Sequence, residues 1–255
     1  MNPDLKLVLD SINSKGYKAF VVGGYVRDYI KYNKISTDID IATDIPSKDV
    51  LDLFSQFNPK EFKYGTVKFN INNYNFDIAH FRNEKFINNS LSVDFTDSMY
   101  EDSFRRDFTI NAIYMDTNLE LTDYHNGLED LQNNLLKFIG DVDIRLQEDP
   151  TRILRYIYFL AKYDFKYDED EFNVLKNSAL TYLNRCSLFD INKYVVKIIE
   201  LNKVESFLNI LTMLNIKEFF FENFNCSYDN NINSFLINSK YRFMDQLPNK
   251  YKKRI

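Results

Sequence analysis

The sequence predicts an α+β protein in which a small mixed β-sheet with helices is followed by helices alone. Before Gly140, short apolar and alternating runs typical of strands stand between helical patterns. After Gly140, apolar residues recur at helical spacing and the strand patterns fade. Hydrophobic residues make up 45% of the chain and charged residues 27%, the balance of a globular protein with a core.

Strands and helices alternate in the first part. The apolar run at residues 18–22 ends at two glycines, and residues 38–42 alternate acidic and apolar side chains, as in a half-buried strand. Ser47 begins an amphipathic pattern and is expected to be its N-cap. Strands are predicted at residues 18–22, 38–42, 66–71 and 75–81, and helices at residues 25–32 and 47–57.

The second part shows only helical spacing. Helices are predicted at residues 143–162, 170–182, 190–200 and 203–214. The chain therefore divides into a head of roughly 140 residues and a helical part of roughly 115, each near the usual size of one domain.

Charge and cysteine content exclude several classes of protein. A net charge of -5 argues against a protein that coats nucleic acid by its overall charge, so any RNA contact requires local basic patches. Cys186 and Cys226 have no metal-like spacing and are expected to be reduced, buried thiols. Because no apolar run approaches the length of a membrane span and no signal peptide is recognisable, we expect a cytoplasmic protein.

A glycine pair between the first strand and its helix is the first candidate site. Gly23 and Gly24 would let a phosphate approach the backbone, and the N-terminus of the following helix offers free N–H groups. Arg27 would add a bidentate phosphate contact. A pair of glycines at such a position is also compatible with a simple tight turn.

The acidic pair Asp38 and Asp40 is the second candidate. Residues i and i+2 on a strand face the same side, so the two carboxylates would stand together and favour a cation such as Mg²⁺. Such a pair holds the metals of two-metal phosphoryl transfer. Asp77, on a later predicted strand, is a candidate third carboxylate. The alternative is an exposed strand with ordinary surface acids.

The run RRDFTINA at residues 105–112 is the third candidate. Arg105 and Arg106 suit a triphosphate, and Asp107 and Asn111 are predicted to share one face of a helix and to bind ribose or phosphate. The alternative is a cluster of surface salt bridges.

Asp149 and Arg152, near the start of a predicted long helix, are the fourth candidate. A carboxylate accepts and a guanidinium donates, which matches the amino donor and ring-nitrogen acceptor shared by cytosine and adenine. Uracil and guanine present the reverse order, and each mismatched buried group would cost roughly 1–3 kcal/mol. The alternative is a simple intrahelical ion pair.

These four motifs, in this order, resemble the bacterial-type (class II) tRNA nucleotidyltransferase and poly(A) polymerase family, within the DNA polymerase beta-like nucleotidyltransferases. The resemblance runs from Gly23 to Arg155, somewhat more than half of the chain, and it is most like a short CCA-adding enzyme. It implies a polymerase-beta-like nucleotidyltransferase head at residues 1–140, an all-helical neck at 141–200 and a short tRNA-contacting body at 201–255, an architecture truncated at the C-terminus.

The resemblance also implies the site and the reaction. The chain would add the 3′-terminal CCA to the acceptor arm of tRNA from CTP and ATP, using Mg²⁺ and releasing pyrophosphate. The oligomeric state stays open. Asp38, Asp40 and Asp77 would be catalytic, with metal on the first two. The implied nucleotide-binding residues are Gly23, Gly24, Arg27, Arg105, Arg106, Asp107, Asn111, Asp149, Arg152 and Arg155.

Three departures from the family pattern bear on these expectations. Tyr158 occupies a position at which the family often has an arginine. The segment between Arg82 and Arg105, in which CCA-adding members have a flexible basic loop, contains only Lys85 as a cation, and the chain stops at Ile255. Enzymes that add only CC, only A or a poly(A) run are therefore alternatives, as is a non-catalytic RNA-binding protein on the same fold.

Overall fold

The computed structural model describes residues 1–87 and 90–223. It contains two compact units, one of residues 1–133 and 137–139 and one that begins with residues 134–136 and continues from residue 140. The division of the helical part into a neck and a body stays a prediction. Cys226 and the end of the predicted body, residues 224–255, lie outside the described residues.

Nine strands belong to the first unit: β1 (Ala19–Val22), β2 (Asp38–Thr43), β3 (Lys60–Phe62), β4 (Thr66–Ile71), β5 (Tyr74–His80), β6 (Arg82–Ile87), β7 (Ser90–Phe95), β8 (Ile113–Met115) and β9 (Leu121–Asp123). Seven of them form one mixed sheet in the order β3-β4-β5-β2-β1-β8-β9. β2 and β5 are parallel, whereas the other neighbours in this sheet are antiparallel. The predicted mixed sheet is thus confirmed, and β2 lies at its centre.

The segment between Arg82 and Arg105 contains a β-hairpin. β6 pairs antiparallel with β7, from Arg82 opposite Phe95 to Ile87 opposite Ser90. Residues 88–89, between these two strands, lie outside the described residues. Lys85 lies opposite Ser92, and its Nζ is 3.9 Å from the carboxylate of Asp94, which is on the same strand as Ser92.

The described part of the first unit also contains five α-helices, besides short 3-10 helices: α1 (Pro3–Asn13), α2 (Gly24–Tyr32), α3 (Ser47–Leu53), α4 (Met99–Ser103) and α5 (Gly127–Asn133). Ser47 is the first residue of α3 and not its N-cap, which is Pro46; the Ser47 hydroxyl donates instead to Glu61 at 2.6 Å. Helix α1, which the sequence patterns did not single out, buries Leu5, Val8, Leu9 and Ile12.

As far as residue 223, the second unit contains the short parallel strands β10 (Leu135–Leu136) and β11 (Lys166–Tyr167) and six helices: α6 (Val142–Glu148), α7 (Thr151–Tyr163), α8 (Glu169–Leu183), α9 (Leu188–Glu200), α10 (Val204–Met213) and α11 (Lys217–Asn223). The prediction of a single helix over residues 143–162 was wrong. Pro150 has no N–H for a continuous helix, so the chain breaks between α6 and α7. Within the described residues, no helix is both long and apolar enough to cross a membrane.

Candidate active site

The carboxylates of Asp38 and Asp40 lie on the exposed face of β2. Ile39 and Ile41, which alternate with them, are buried on the opposite face. The parallel register places Asp40 beside Asp77 of β5 and Asp38 beside Asn75. The central strands therefore gather three carboxylates on one face.

Asp38 and Asp77 each have a side-chain partner. Asn75 donates to Asp38 at 2.7 Å, and the Lys68 ammonium forms a short ion pair with Asp77. Asp40 and Asp77 line a recess of about 560 Å³ whose walls include Lys68, Arg82, Arg105 and Arg106. The recess therefore places carboxylates beside lysine and arginine side chains, an arrangement that suits a triphosphate with a cation.

Asp40 is the carboxylate most affected by these surroundings. Solvent reaches it, but the walls of the recess displace much of the surrounding water, and this burial raises its pKa. Arg106 and Lys68 act against this rise in pKa, whereas the charges of Asp77 and Asp38 add to it. The charged form of Asp40 is thus disfavoured, and a bound cation would stabilise it.

The glycine turn lies against the same carboxylate. Gly23 adopts a φ of 77°, which favours glycine, and a Cβ at this position would lie 3.3 Å from Asp40 Oδ2. Helix α2 starts at the next residue, so its free N–H groups and positive dipole end lie close to the acidic cluster. The turn can therefore place phosphate oxygens beside Asp40.

Arg27 is surrounded by protein side chains, and the phosphate contact predicted for it stays a prediction. It is buried, and it donates to Asp28 at 2.8 Å and to the side-chain oxygen of Asn111 at 2.6 Å. Asn111 in turn donates to Asp107 at 3.1 Å. Arg27 therefore connects the helix after the glycine turn to two other predicted nucleotide-binding residues.

The prediction of a helix that carries both Asp107 and Asn111 was wrong. Only a short 3-10 helix, Thr109–Asn111, is present, and Phe108 is extended and forms a β-bridge with Phe138. The turn nevertheless brings the two side chains together, because the Asn111 amide returns to the Asp107 carboxylate.

Asp102, which sequence reasoning missed, holds both arginines of the third motif. It has no exposed surface; Arg105 Nε donates to it at 2.8 Å, Arg106 Nη2 at 3.0 Å and the Tyr114 hydroxyl at 2.8 Å. Burial alone would raise the Asp102 pKa, but the charges of Arg106 and Arg105 outweigh it, and the pKa is lowered. An acid three and four residues before two arginines was the signal available in the sequence.

The fourth motif lies in the second unit, at the break between α6 and α7. Asp149 accepts from the backbone N–H of Thr151 at 2.9 Å and from its hydroxyl at 2.7 Å. Arg152 is buried and donates to Glu148 at 3.0 Å and to the carbonyl of Arg145 at 2.6 Å. Asp149 therefore precedes the helix that carries Arg152, so the simple intrahelical pair is not what forms.

Further along α7, a cluster of rings and cations surrounds the position at which the family often has an arginine. The ring of Tyr158 lies 5.5 Å from Lys162 Nζ and 5.7 Å from Lys197 Nζ, and it contacts Tyr194. Burial lowers the pKa of Lys197, and the nearby charge of Arg155 lowers it further. The nucleotide contact predicted for Arg155 stays a prediction.

The fold is similar to that of known nucleotidyltransferase heads. Residues 19–137 match the poly A polymerase head domain, so this part of the chain resembles that family. Among curated proteins it is similar to the CCA-adding enzyme of Staphylococcus epidermidis, with 34% identity over 230 residues that make up 88% of this chain and 56% of that enzyme.

The fold is also similar to that of solved structures of CCA-adding and tRNA-processing enzymes. The Bacillus stearothermophilus CCA-adding enzyme in complex with CTP has a TM-score of 0.75 and 27% identity, over 85% of this chain and 53% of that one. A tRNA-processing enzyme with CTP has a TM-score of 0.69 and 25% identity, over 83% of this chain and 57% of that one. The chain thus spans little more than half the length of each of these three proteins.

Proposed function

We propose that this protein is a template-independent RNA nucleotidyltransferase that adds the 3′-terminal CCA to the acceptor arm of tRNA from CTP and ATP and releases pyrophosphate. The observation that carries the proposal is the closeness of the glycine turn to Asp40, which lines a recess together with Asp77, Arg105 and Arg106. The similarity to CCA-adding enzymes supports the same reaction. A cytoplasmic location follows from the proposed substrate.

Nucleotidyltransferases of this family use divalent metal ions, and we assign Mg²⁺ to Asp38 and Asp40. Among the described residues, no three histidine, cysteine or acidic side chains form a ready-made metal group. Two carboxylates are nevertheless enough for Mg²⁺, which usually keeps several waters and binds substrate phosphates. When bound, the metal would neutralise phosphate charge and lower the pKa of the attacking RNA hydroxyl.

The residues of the chain supply binding and orientation. The glycine turn and the first N–H groups of α2 receive phosphate oxygens, and Arg105 and Arg106 add positive charge from the wall of the recess. Asp102 fixes the direction of both guanidinium groups, so that little reorganisation is needed when the triphosphate binds.

Base selection falls to the second unit. Asp149 would accept from the exocyclic amino group of cytosine or adenine, and Arg152 would donate to the adjacent ring nitrogen. The Glu148 carboxylate and the Arg145 carbonyl hold the Arg152 guanidinium, as a protein-based template requires. Uracil and guanine would leave both groups facing like partners, a mismatch that costs roughly 1–3 kcal/mol per buried group.

The test is incorporation of each labelled nucleotide into tRNA transcripts that end at the discriminator base, after two added cytidines, or with complete CCA. We expect C, C and A to be added in turn and synthesis to stop. Addition of C alone, of A alone or of an A run would replace the proposal by the corresponding partial enzyme or poly(A) polymerase. Incorporation of UTP as efficient as that of CTP would exclude the proposed template.

Asp40→Asn is the matched inactive variant for this assay, because it keeps the side-chain shape and removes the charge. We expect no incorporation above background. Full activity of this variant would exclude the metal assignment, and absence of incorporation by the wild-type protein as well would favour a non-catalytic RNA-binding protein.

A further inference from the structure

Tyr64 stands out by its backbone conformation. Ten non-glycine residues of the described chain have positive φ, and eight of them are asparagine or aspartate, which tolerate this region. Tyr64, with φ 60° and ψ 35°, is one of the two exceptions, and its side chain is 43% exposed. Strain at an exposed aromatic residue beside a catalytic recess points to a functional reason for its position.

The neighbours of Tyr64 hold this conformation in place. Arg82 Nη1 donates to the Tyr64 carbonyl at 3.2 Å, and the Arg82 guanidinium carbon lies 5.5 Å from the centre of the tyrosine ring. At Gly65, which follows with a φ of 68°, a Cβ would come within 3.1 Å of the Phe95 ring. The ring of Tyr64 is therefore presented to solvent by a fixed turn.

A second ring and two cations stand next to it. Phe62, at the end of the exposed edge strand β3, is 51% exposed, and Lys63 is exposed as well. Lys68 Nζ lies 5.6 Å from the centre of the Phe62 ring and also pairs with Asp77. Phe62, Lys63 and Tyr64 form what we term the aromatic ledge, and its first two residues line the recess that contains Asp40.

The composition of the ledge fits single-stranded nucleic acid. Exposed rings stack on bases of any identity, and neighbouring lysines contact the phosphates. On a chain with a net charge of -5, these cations are placed locally and not as part of an overall basic surface.

The order of the strands decides which nucleic-acid component the ledge would bind. In the sheet, β1 and the glycine turn at its end lie on one side of the Asp40 strand. The ledge, at the end of β3, lies on the other side, beyond β5 and β4. A triphosphate on the glycine turn and a strand on the ledge would thus approach Asp40 from opposite sides, as in-line attack requires.

We propose that the aromatic ledge binds the 3′ end of the RNA acceptor strand, stacking its terminal bases on Phe62 and Tyr64 while Lys63 contacts a phosphate. This inference rests on the proposed function and names the place where the RNA enters the site.

The test separates the KM for RNA from the KM for CTP. Phe62→Leu and Tyr64→Asn remove the rings, and asparagine tolerates the backbone of residue 64. We expect each change to raise the KM for the tRNA transcript by roughly fivefold or more, with little change in the KM for CTP. Phe62→Tyr and Tyr64→Phe keep the rings and should retain the wild-type KM for RNA.

Tyr32→Leu is the control for loss of an exposed ring, since Tyr32 is 48% exposed and also has a lysine over it, with Lys31 Nζ 5.8 Å from the ring centre. A rise in the KM for CTP alone, or an unchanged KM for RNA in the ring-removing variants, would overturn the inference.

A binding measurement without nucleotides keeps the two proposals distinguishable. A tRNA transcript with 2-aminopurine as its 3′-terminal base should lose fluorescence on binding to the wild-type protein, and the loss should be smaller with Phe62→Leu. Equal quenching by both proteins would contradict the inference. If the wild-type protein quenched the probe but added no nucleotide, the proposed function would fail and the ledge would stand as an RNA-binding site.

Discussion

Glu148 binds the guanidinium group of Arg152, with 3.0 Å between Oε2 and Nη1. The same carboxylate oxygen accepts from Arg145 Nη1 at 2.6 Å, so Glu148 connects the end of α6 to the first turn of α7. The arginine proposed to read the base is thus oriented across the break that Pro150 introduces. This arrangement makes Glu148 a positioning residue for base selection.

Replacing Glu148 by glutamine should weaken base selection. The amide keeps the shape but loses the charge-assisted hydrogen bonds that fix Arg152, and such bonds contribute about 1.5–3 kcal/mol. We expect the kcat/KM ratio of CTP over UTP to fall by about tenfold, which corresponds to 1.4 kcal/mol. Glu169→Gln removes an exposed acid from the same unit and should leave the ratio unchanged. An unaltered ratio in E148Q would exclude the positioning role.

Asp102→Asn should destabilise the head and weaken triphosphate binding together. The asparagine would leave Arg105 and Arg106 without their buried counter-charge, and breaking a buried ion pair from one side costs about 3–5 kcal/mol. We expect a lower thermal midpoint by circular dichroism and a higher KM for both CTP and ATP. Tyr114→Phe, which removes one hydrogen bond to the same carboxylate but no charge, should have the smaller effect.

The contribution of Asp102 to stability should also depend on pH. Its pKa is lower in the folded protein than in the unfolded chain, for which the usual value is about 3.9. The stabilisation is therefore fully present above the unfolded pKa and is lost as the pH falls through the folded pKa. The stability difference between the wild-type protein and Asp102→Asn, measured by urea unfolding, should be constant from about pH 6 to 7 and shrink below about pH 4. A constant difference down to pH 2 would contradict this assignment.

The role of Asp77 can be separated from its ion pair. In this structure its carboxylate pairs with Lys68, and catalysis by Asp77 stays a prediction. Lys68→Met breaks the pair and leaves the carboxylate, whereas Asp77→Asn removes the carboxylate itself. If Asp77 takes part in the reaction, Asp77→Asn should lower kcat by at least about 100-fold and Lys68→Met by much less. Equal losses would indicate that only the pair matters.

The sequence predicted the face of β2 well because strand periodicity is local: Asp38 and Asp40 needed only the buried Ile39 and Ile41 between them. The closeness of Gly23 to Asp40 depends on how two strands pair, which no local pattern specifies. For Asp102, the local spacing to Arg105 and Arg106 was visible in the sequence, but its complete burial and its hydrogen bond with Tyr114 were not. The predicted helix over residues 143–162 differs from the structure because of a single residue. Apolar spacing alone extends that helix, but Pro150 separates α6 from α7.

Gly16 provides a comparison for testing the glycine turn at Gly23. Both have positive φ, 88° at Gly16 and 77° at Gly23, so alanine is strained at either position. A Cβ at Gly16 would meet nothing within 4 Å, whereas a Cβ at Gly23 would lie 3.3 Å from Asp40 Oδ2 and beside the proposed phosphate path. Both variants should lose stability in urea unfolding, and Gly23→Ala should lose more, because φ 77° with ψ -138° is a region that side-chain-bearing residues rarely adopt.

Only Gly23→Ala should impair catalysis, because only there does the added methyl group press on the carboxylate that is proposed to hold the metal. We expect kcat/KM for CTP to fall by at least about 100-fold in Gly23→Ala, given the sensitivity of phosphoryl transfer to small misplacements, and to stay near the wild-type value in Gly16→Ala. Equal activity of the two variants would show that the turn shapes the backbone without contributing to the active site.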